Sequence, residues 1–234
     1  MTKTALVTGA NKGIGYEIAK NLLQKGYTVL VGARNVERGE KAVSTLKAFG
    51  DVHLQIIDVS KIAELPRIAK EIITNYPDFS LLVNNAGIPG DMSKPAWEFT
   101  VAELQATHVT DFIGPYELSR SLLPILEKNE GQIFNVTIPI EPVSFFHPFA
   151  YMSAKAPLNI LTKTWGIEFK AQHKPVEIFA LMPGGVTTDL NNRLEGPGFK
   201  TPQVAGELAV SLITDHINRS GQVVNFDGKI ANYT

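Results

Sequence analysis

No cysteine occurs among the 234 residues, which excludes disulfides, thiolate nucleophiles and cysteine-ligated metals. Compartment stays open on that point, because a chain without thiols is tolerated anywhere. No sign of charge dominates either: 22 Lys and Arg face 23 Asp and Glu, for a formal net charge of −1. That balance gives no argument for nucleic acid or an anionic membrane as a partner. Long apolar runs are missing, with none near the ~20 residues that span a bilayer. The apolar start over residues 1–10 meets Gly9 almost at once and lacks the basic region, longer apolar stretch and cleavage site of a signal peptide. A cytoplasmic protein without a metal site is the resulting expectation. What is present, 44% hydrophobic and 19% charged residues, is the profile of a globular chain and not of a disordered or coiled-coil one.

Short apolar, β-branched runs alternate with amphipathic stretches along the chain. The runs predict strands over 5–8, 28–33, 52–57, 81–84, 132–136, 176–182 and 222–225. Most are apolar throughout, as strands covered on both faces should be. Helical periodicity predicts helices over 14–25, 36–49, 62–76, 101–127, 150–170 and 203–215. Asp58 and Ser60 stand where a helix cap is wanted, Thr100 precedes another helix, and Pro66 weakens the start of the third. No repeat, low-complexity tract or linker divides the sequence, so residues 1–234 read as one domain. Regular β-α alternation with right-handed crossovers predicts an α/β fold, a doubly wound parallel sheet with helices on both faces. Loops after the strand ends build the crevice in such a fold. The irregular stretches 87–99, 138–149 and 184–200 should all lie on that side.

The first strand runs into Thr8-Gly9-Ala10-Asn11-Lys12-Gly13-Ile14-Gly15 and then a helix. Glycines there allow a tight turn and let the backbone approach a pyrophosphate at the helix N-terminus. The second strand ends Val31-Gly32-Ala33-Arg34, with no acid at its tip. An acid would bind a ribose 2′-hydroxyl, whereas an arginine accommodates a 2′-phosphate. Lys12 offers a second positive charge for that phosphate. These features favour NADP(H) over NAD(H) as cofactor.

At this point the sequence resembles the short-chain dehydrogenase/reductase family over nearly its whole length. Residues 8–15 match its TGxxxGxG turn, Asp58-Val59 follows the third strand, and Asn84-Asn85-Ala86-Gly87 follows the fourth. Tyr151-Met152-Ser153-Ala154-Lys155 matches YxxxK, and Pro183-Gly184-Gly185-Val186-Thr187-Thr188 matches PGxVxT. The resemblance implies a Rossmann-type NADP(H)-dependent oxidoreductase, with Asp58 and Val59 beside the adenine. It also implies Asn85, Ala86 and Gly87 in the cofactor cleft, with Pro183, Gly184, Val186 and Thr188 toward the nicotinamide. Tyr151 and Lys155, four apart, share a helix face. A free tyrosine has a pKa of ~10, too high for proton exchange near neutrality, and a lysine ammonium nearby is expected to lower it. In reduction Tyr151 would protonate the developing alkoxide while the cofactor delivers hydride. By resemblance, Lys155 also hydrogen-bonds the nicotinamide ribose.

Two family positions are altered. The serine expected thirteen residues before the tyrosine is Ile138, which cannot donate a hydrogen bond to a carbonyl. Thr137, one residue early, faces the other way if the backbone is extended, unless a bulge re-aims it. Glu141, Ser144 and His147 in the same loop are the other candidate substitutes. The asparagine expected three residues before Gly114 is Asp111, whose carboxylate can hold the lysine or a water and change the influence of Lys155 on Tyr151. His108 lies one turn earlier.

Losing one oxyanion donor typically costs ~10²–10³ in rate, so three readings stand. The substrate polarises itself, as an iminium or conjugated enone does. A substitute donor serves a carbonyl substrate. Or the chain binds NADPH with weak or no redox activity, as a sensor, scaffold or non-redox catalyst. The Pro- and Phe-rich loop 139–149 fits either packing or an apolar pocket for a small hydrophobic substrate, with 190–199 as its mobile side. By resemblance, helices 101–127 and 150–170 pair two copies in a homodimer, often extended to a homotetramer.

Overall fold

A computed structural model describes residues 3–231; the first two residues of the apolar run 1–10 lie outside it. Seven strands form one sheet in the order β3-β2-β1-β4-β5-β6-β7. They are β1 (Thr4–Thr8), β2 (Thr28–Ala33), β3 (Val52–Ile56), β4 (Phe79–Asn84), β5 (Gln132–Val136), β6 (Glu177–Met182) and β7 (Val223–Asn225). Every pairing is parallel. Strand order reverses between β1 and β4, which opens a crevice beyond their C-terminal ends.

Alternate side chains of each strand feed two separate cores. Ala5, Val7, Val29, Val31 and Val83 pack with Ile18 and Leu22 of α1 (Gly13–Gln24) and with Ala209 and Ile213 of α7 (Pro202–Thr214). Leu6, Leu30, Leu82 and Ile133 pack with Ile68 and Ile72 of α3 (Leu65–Asn75) and with Leu118 and Leu122 of α5 (Gly114–Lys128). This double coverage is why the strands read as unbroken apolar runs. α2 (Val36–Leu46) flanks β2 and β3, and α6 (Phe149–Ala171) flanks β6. Among the described residues no helix is long and apolar enough to cross a membrane.

The predicted helix 101–127 is interrupted. α4 (Val101–His108) passes through a wide π-helical turn, Val109–Ile113, before α5 begins. Pro115 supplies a physical cause: it has no N–H for the carbonyl four residues back, at Asp111, and its ring crowds that carbonyl. The predicted 36–49 helix ends at Leu46 and tightens into a 3-10 turn over Lys47–Phe49. Pro66 does not weaken α3. It sits in the opening turn, where a missing N–H removes no intrahelical bond. Asp58 and Ser60 do not cap a helix either. Asp58 Oδ1 accepts from Ser60 N at 3.0 Å and Ser60 Oγ at 2.7 Å, closing a local turn. Thr100 does cap α4, in a reciprocal box with Glu103.

Candidate active site

The glycine turn after β1 is stitched to the end of β4. Thr8 Oγ1 accepts from the Asn85 and Ala86 amides at 3.0 and 3.1 Å and donates to Val83 O at 3.2 Å. Asn85 Nδ2 donates to Thr8 O at 2.9 Å. Gly15 is required by this stitching: a Cβ there would stand 2.4 Å from Asn85 Nδ2 and 2.7 Å from Gly9 O. The α1 N-terminus carries no side-chain cap. Its first amides are therefore left for an anion, and the helix dipole favours negative charge there.

A cleft of about 1020 Å³ opens over this turn. Gly9, Asn11, Lys12, Gly13, Ile14, Arg34, Asp58, Val59, Asn85, Ala86, Gly87 and Thr188 line it. Gly15, Pro183, Gly184 and Val186 are not among the lining residues, and neither are Asp111, Tyr151 and Lys155. Val186 is buried and bridged to Lys200, and Pro183 O accepts from Lys200 Nζ at 3.4 Å. Two of the three irregular stretches contribute lining, through residues 87–93 and 187–195; the 138–149 stretch contributes none.

Lys12 is not held out for a phosphate. Its Nζ lies 2.8 Å from Asp189 Oδ2, and Asp189 Oδ1 accepts from Arg193 Nε at 2.8 Å. These two cations, Lys12 foremost, hold the Asp189 carboxyl down at about 2. Arg34 is exposed at the cleft rim. Its companion there is Arg38, which also lines the cleft and which the sequence reading missed. Asn35 caps α2 by accepting from Arg38 N at 2.9 Å. The usable signal was the four-residue spacing of Arg34 and Arg38 across a helix start.

Tyr151, Lys155 and Asp111 come together where α6 meets the π-helical turn. Lys155 Nζ lies 3.5 Å from Asp111 Oδ2 and donates to Val136 O at 3.2 Å. Both charged side chains are buried, at 2% and 0% exposure. Asp111 Oδ1 accepts from Ile88 N at 2.8 Å. Gly87 allows this approach, since a Cβ there would come within 2.8 Å of Asp111 Oδ2. Burial pushes the Asp111 carboxyl upward, and Lys155 is the largest opposing influence. Lys155 Nζ is 5.7 Å from the centre of the Tyr151 ring. The expected lowering of the Tyr151 phenol by Lys155 is not found. Desolvation pushes it up, and the Asp111 charge adds to the rise. Lys155 faces Tyr151 together with its counter-ion, not as a lone cation. His108 Nε2 pairs with Ser153 Oγ at 3.2 Å, beside this group.

The candidate replacements for the absent serine are placed elsewhere. Thr137 is buried and its Oγ1 donates to Asn159 Oδ1 at 2.6 Å, while Asn159 Nδ2 donates to Ile138 O at 3.3 Å. No bulge re-aims it. Glu141, Ser144 and His147 are exposed, and His147 Nδ1 is engaged with Val143 O at 3.0 Å. A buried polar chain, not anticipated from the sequence, joins β4 and β5 to α5 and α6. Asn84 Nδ2 donates to Ser119 Oγ and Asn135 Oδ1, and Asn135 Nδ2 donates to Thr162 Oγ1. It fixes the strand ends against α5 and α6.

An uncapped helix N-terminus over a switch-point crevice, walled by glycines, defines a nucleotide-binding α/β protein. The model of the short chain dehydrogenase family matches residues 3–196, and the chain belongs to that family of NAD(P)-dependent oxidoreductases. It is 31% identical over 202 residues to the 3-oxoacyl-(acyl-carrier-protein) reductase FabG of Staphylococcus epidermidis, covering 83% of this chain and 79% of that one. Its fold is similar to the NADPH-bound carbonyl reductase from chicken fatty liver, with TM-score 0.88, 23% identity and 99% of each chain covered. It is also similar to an alcohol dehydrogenase from the archaeon Thermococcus sibiricus complexed with 5-hydroxy-NADP, with TM-score 0.84, 25% identity and 100% of each chain covered.

Proposed function

We propose that the chain is an NADPH-dependent reductase of a carbonyl or other polarised unsaturated group on a small, apolar substrate. The observation that carries this reading is Tyr151: among the described residues its hydroxyl has no hydrogen-bond partner, and it stands beside the buried Lys155–Asp111 pair. The two relatives named as reductases support a carbonyl substrate. NADP(H) fits the uncapped α1 N-terminus for its pyrophosphate and the Arg34–Arg38 rim for its 2′-phosphate. Asp58 and Val59 would flank the adenine, and Asn85, Ala86, Gly87 and Thr188 the nicotinamide half.

When bound, NADPH supplies the hydride. Tyr151, kept in the neutral phenol form, donates its proton to the oxygen as charge develops there. Asp111 and the Val136 carbonyl hold Lys155 in place, where its ammonium would be available to the ribose of the bound cofactor.

A second reading is favoured by Ile138 and by the commitment of Thr137 to Asn159. With one donor at the substrate oxygen, the protein binds NADPH but turns over ordinary ketones weakly or not at all. NADPH oxidation measured across ketones, aldehydes, enones and imines tests both. Turnover lost in Tyr151→Phe supports the first reading. A silent panel that Ile138→Ser awakens supports the second. For assembly we propose a homodimer or homotetramer. Exposed Ile113, Tyr116, Ile160 and Ile167 on α5, α6 and the turn between α4 and α5 support it, and native mass tests it.

A further inference from the structure

We propose that Asp111 offsets the charge of Lys155 at the Tyr151 hydroxyl, keeping Tyr151 a proton-donating phenol and fitting the enzyme for reduction over alcohol oxidation at neutral pH. This rests on the reductase reading above and adds what Asp111 does there.

The geometry is specific. Lys155 Nζ and Asp111 Oδ2 are 3.5 Å apart and both are closed to solvent. Asp111 is fixed from its other side by Ile88 N and is admitted by the missing side chain of Gly87. Its position comes from the π-helical turn that Pro115 enforces. Asp111 Oδ2 has no hydrogen bond from any described residue, so its charge is spent on Lys155 and on the space around Tyr151. A lone ammonium favours phenolate; an ammonium with a carboxylate against it presents a dipole whose two ends largely cancel. Burial first, and the Asp111 charge second, push the Tyr151 phenol upward.

The titratable groups around Tyr151 come from three elements. Lys155 lies on its own helix, Asp111 on the π-helical turn, and His108 on α4, where it bears on Asp111 and pairs with Ser153. Glu141 and His147 of the neighbouring loop are exposed. In reduction, hydride adds to the substrate carbon, the phenol proton passes to oxygen, and the phenolate left behind regains a proton from solvent. Oxidation needs that phenolate at the start, and the Asp111 charge makes it scarce.

The test is a direct titration of Tyr151 in protein labelled at the tyrosine ring carbon bearing oxygen, read by carbon NMR. Tyr151→Phe assigns the signal, and spectra are taken with and without NADP⁺. In wild type the phenol must titrate above an ordinary tyrosine. Asp111→Asn keeps the volume and the bond from Ile88 N but removes the charge, and should lower the Tyr151 pKa by about one to three units. The alkaline limit of any reductase activity and the onset of alcohol oxidation should shift down with it, and Asp111→Glu should restore the wild-type titration. The same Tyr151 pKa in folded wild type and Asp111→Asn overturns the proposal. So does a wild-type Tyr151 that titrates at or below the ordinary value, which needs no variant to fold. The titration uses no substrate, so a silent substrate panel counts against the reductase reading alone.

Discussion

The Lys12 ammonium lies 2.8 Å from Asp189 Oδ2, which ties the glycine turn to the segment walling the opposite side of the cleft. The pair is exposed, so it adds little to global stability; its effect is on where the 187–195 segment rests. Lys12→Ala should increase proteolytic cutting in that segment while leaving NADPH affinity relative to NADH unchanged. Arg34→Ala and Arg38→Ala should each weaken NADPH binding by roughly ten- to hundredfold and leave NADH affinity unchanged. Calorimetric titration with both cofactors checks this. Equal losses for the two cofactors, or a loss confined to Lys12→Ala, would contradict the assignment of the phosphate to the two arginines.

Thr137 is a structural donor in this account. Thr137→Val removes the buried hydrogen bond from Thr137 Oγ1 to Asn159 Oδ1, at a cost of about 0.5–1.5 kcal/mol. Denaturant unfolding should register that loss, while activity per folded molecule changes little. A collapse of turnover with stability intact would make Thr137 the substitute for the missing serine.

Gly15→Ala and Gly87→Ala test the two close approaches. The first drives a methyl into Asn85 Nδ2 and the Gly9 carbonyl; the second meets Asp111 Oδ2. Gly15→Ala should abolish cofactor binding or folding. Gly87→Ala should spare folding more and raise the activity loss, because it displaces Asp111 from Lys155. Thermal melts with and without NADPH separate the two outcomes.

Much of this was legible in the sequence. The seven strands and the order of the glycine turn, Asn85 and the Tyr151–Lys155 pair follow from patterns with local causes: apolar runs, a helical four-residue spacing, a turn that needs glycine. What stayed hidden depends on partners distant in the chain. Lys12 is assigned by Asp189, 177 residues away, and Thr137 by Asn159, 22 residues on. The rise at Tyr151 comes first from its burial and then from the charge of Asp111, neither of which its position in the sequence displays. The break in helix 101–127 was within reach, since Pro115 stands four residues after Asp111.

The α4 cap gives a pH-dependent expectation. Lys94 foremost, then Thr100, hold the Glu103 carboxyl down at about 2. A carboxyl depressed on folding contributes stability that is complete above its ordinary value, and is lost as pH falls through the folded one. Thr100→Ala should cost about 0.5–2 kcal/mol near neutrality, and the gap to wild type should narrow as pH falls toward about 2. Unfolding curves at several pH values check the sign; a gap that widens in acid would refute it.

The central claim is that Tyr151 is the proton donor in an NADPH-dependent reduction. Single-turnover reduction by wild type and by Tyr151→Phe, each pre-loaded with NADPH and mixed with the best substrate from the panel, tests it most directly. Tyr151→Phe should keep its NADPH affinity and lose about 10²-fold or more in the hydride-transfer rate. Retention of the wild-type rate in Tyr151→Phe would contradict it.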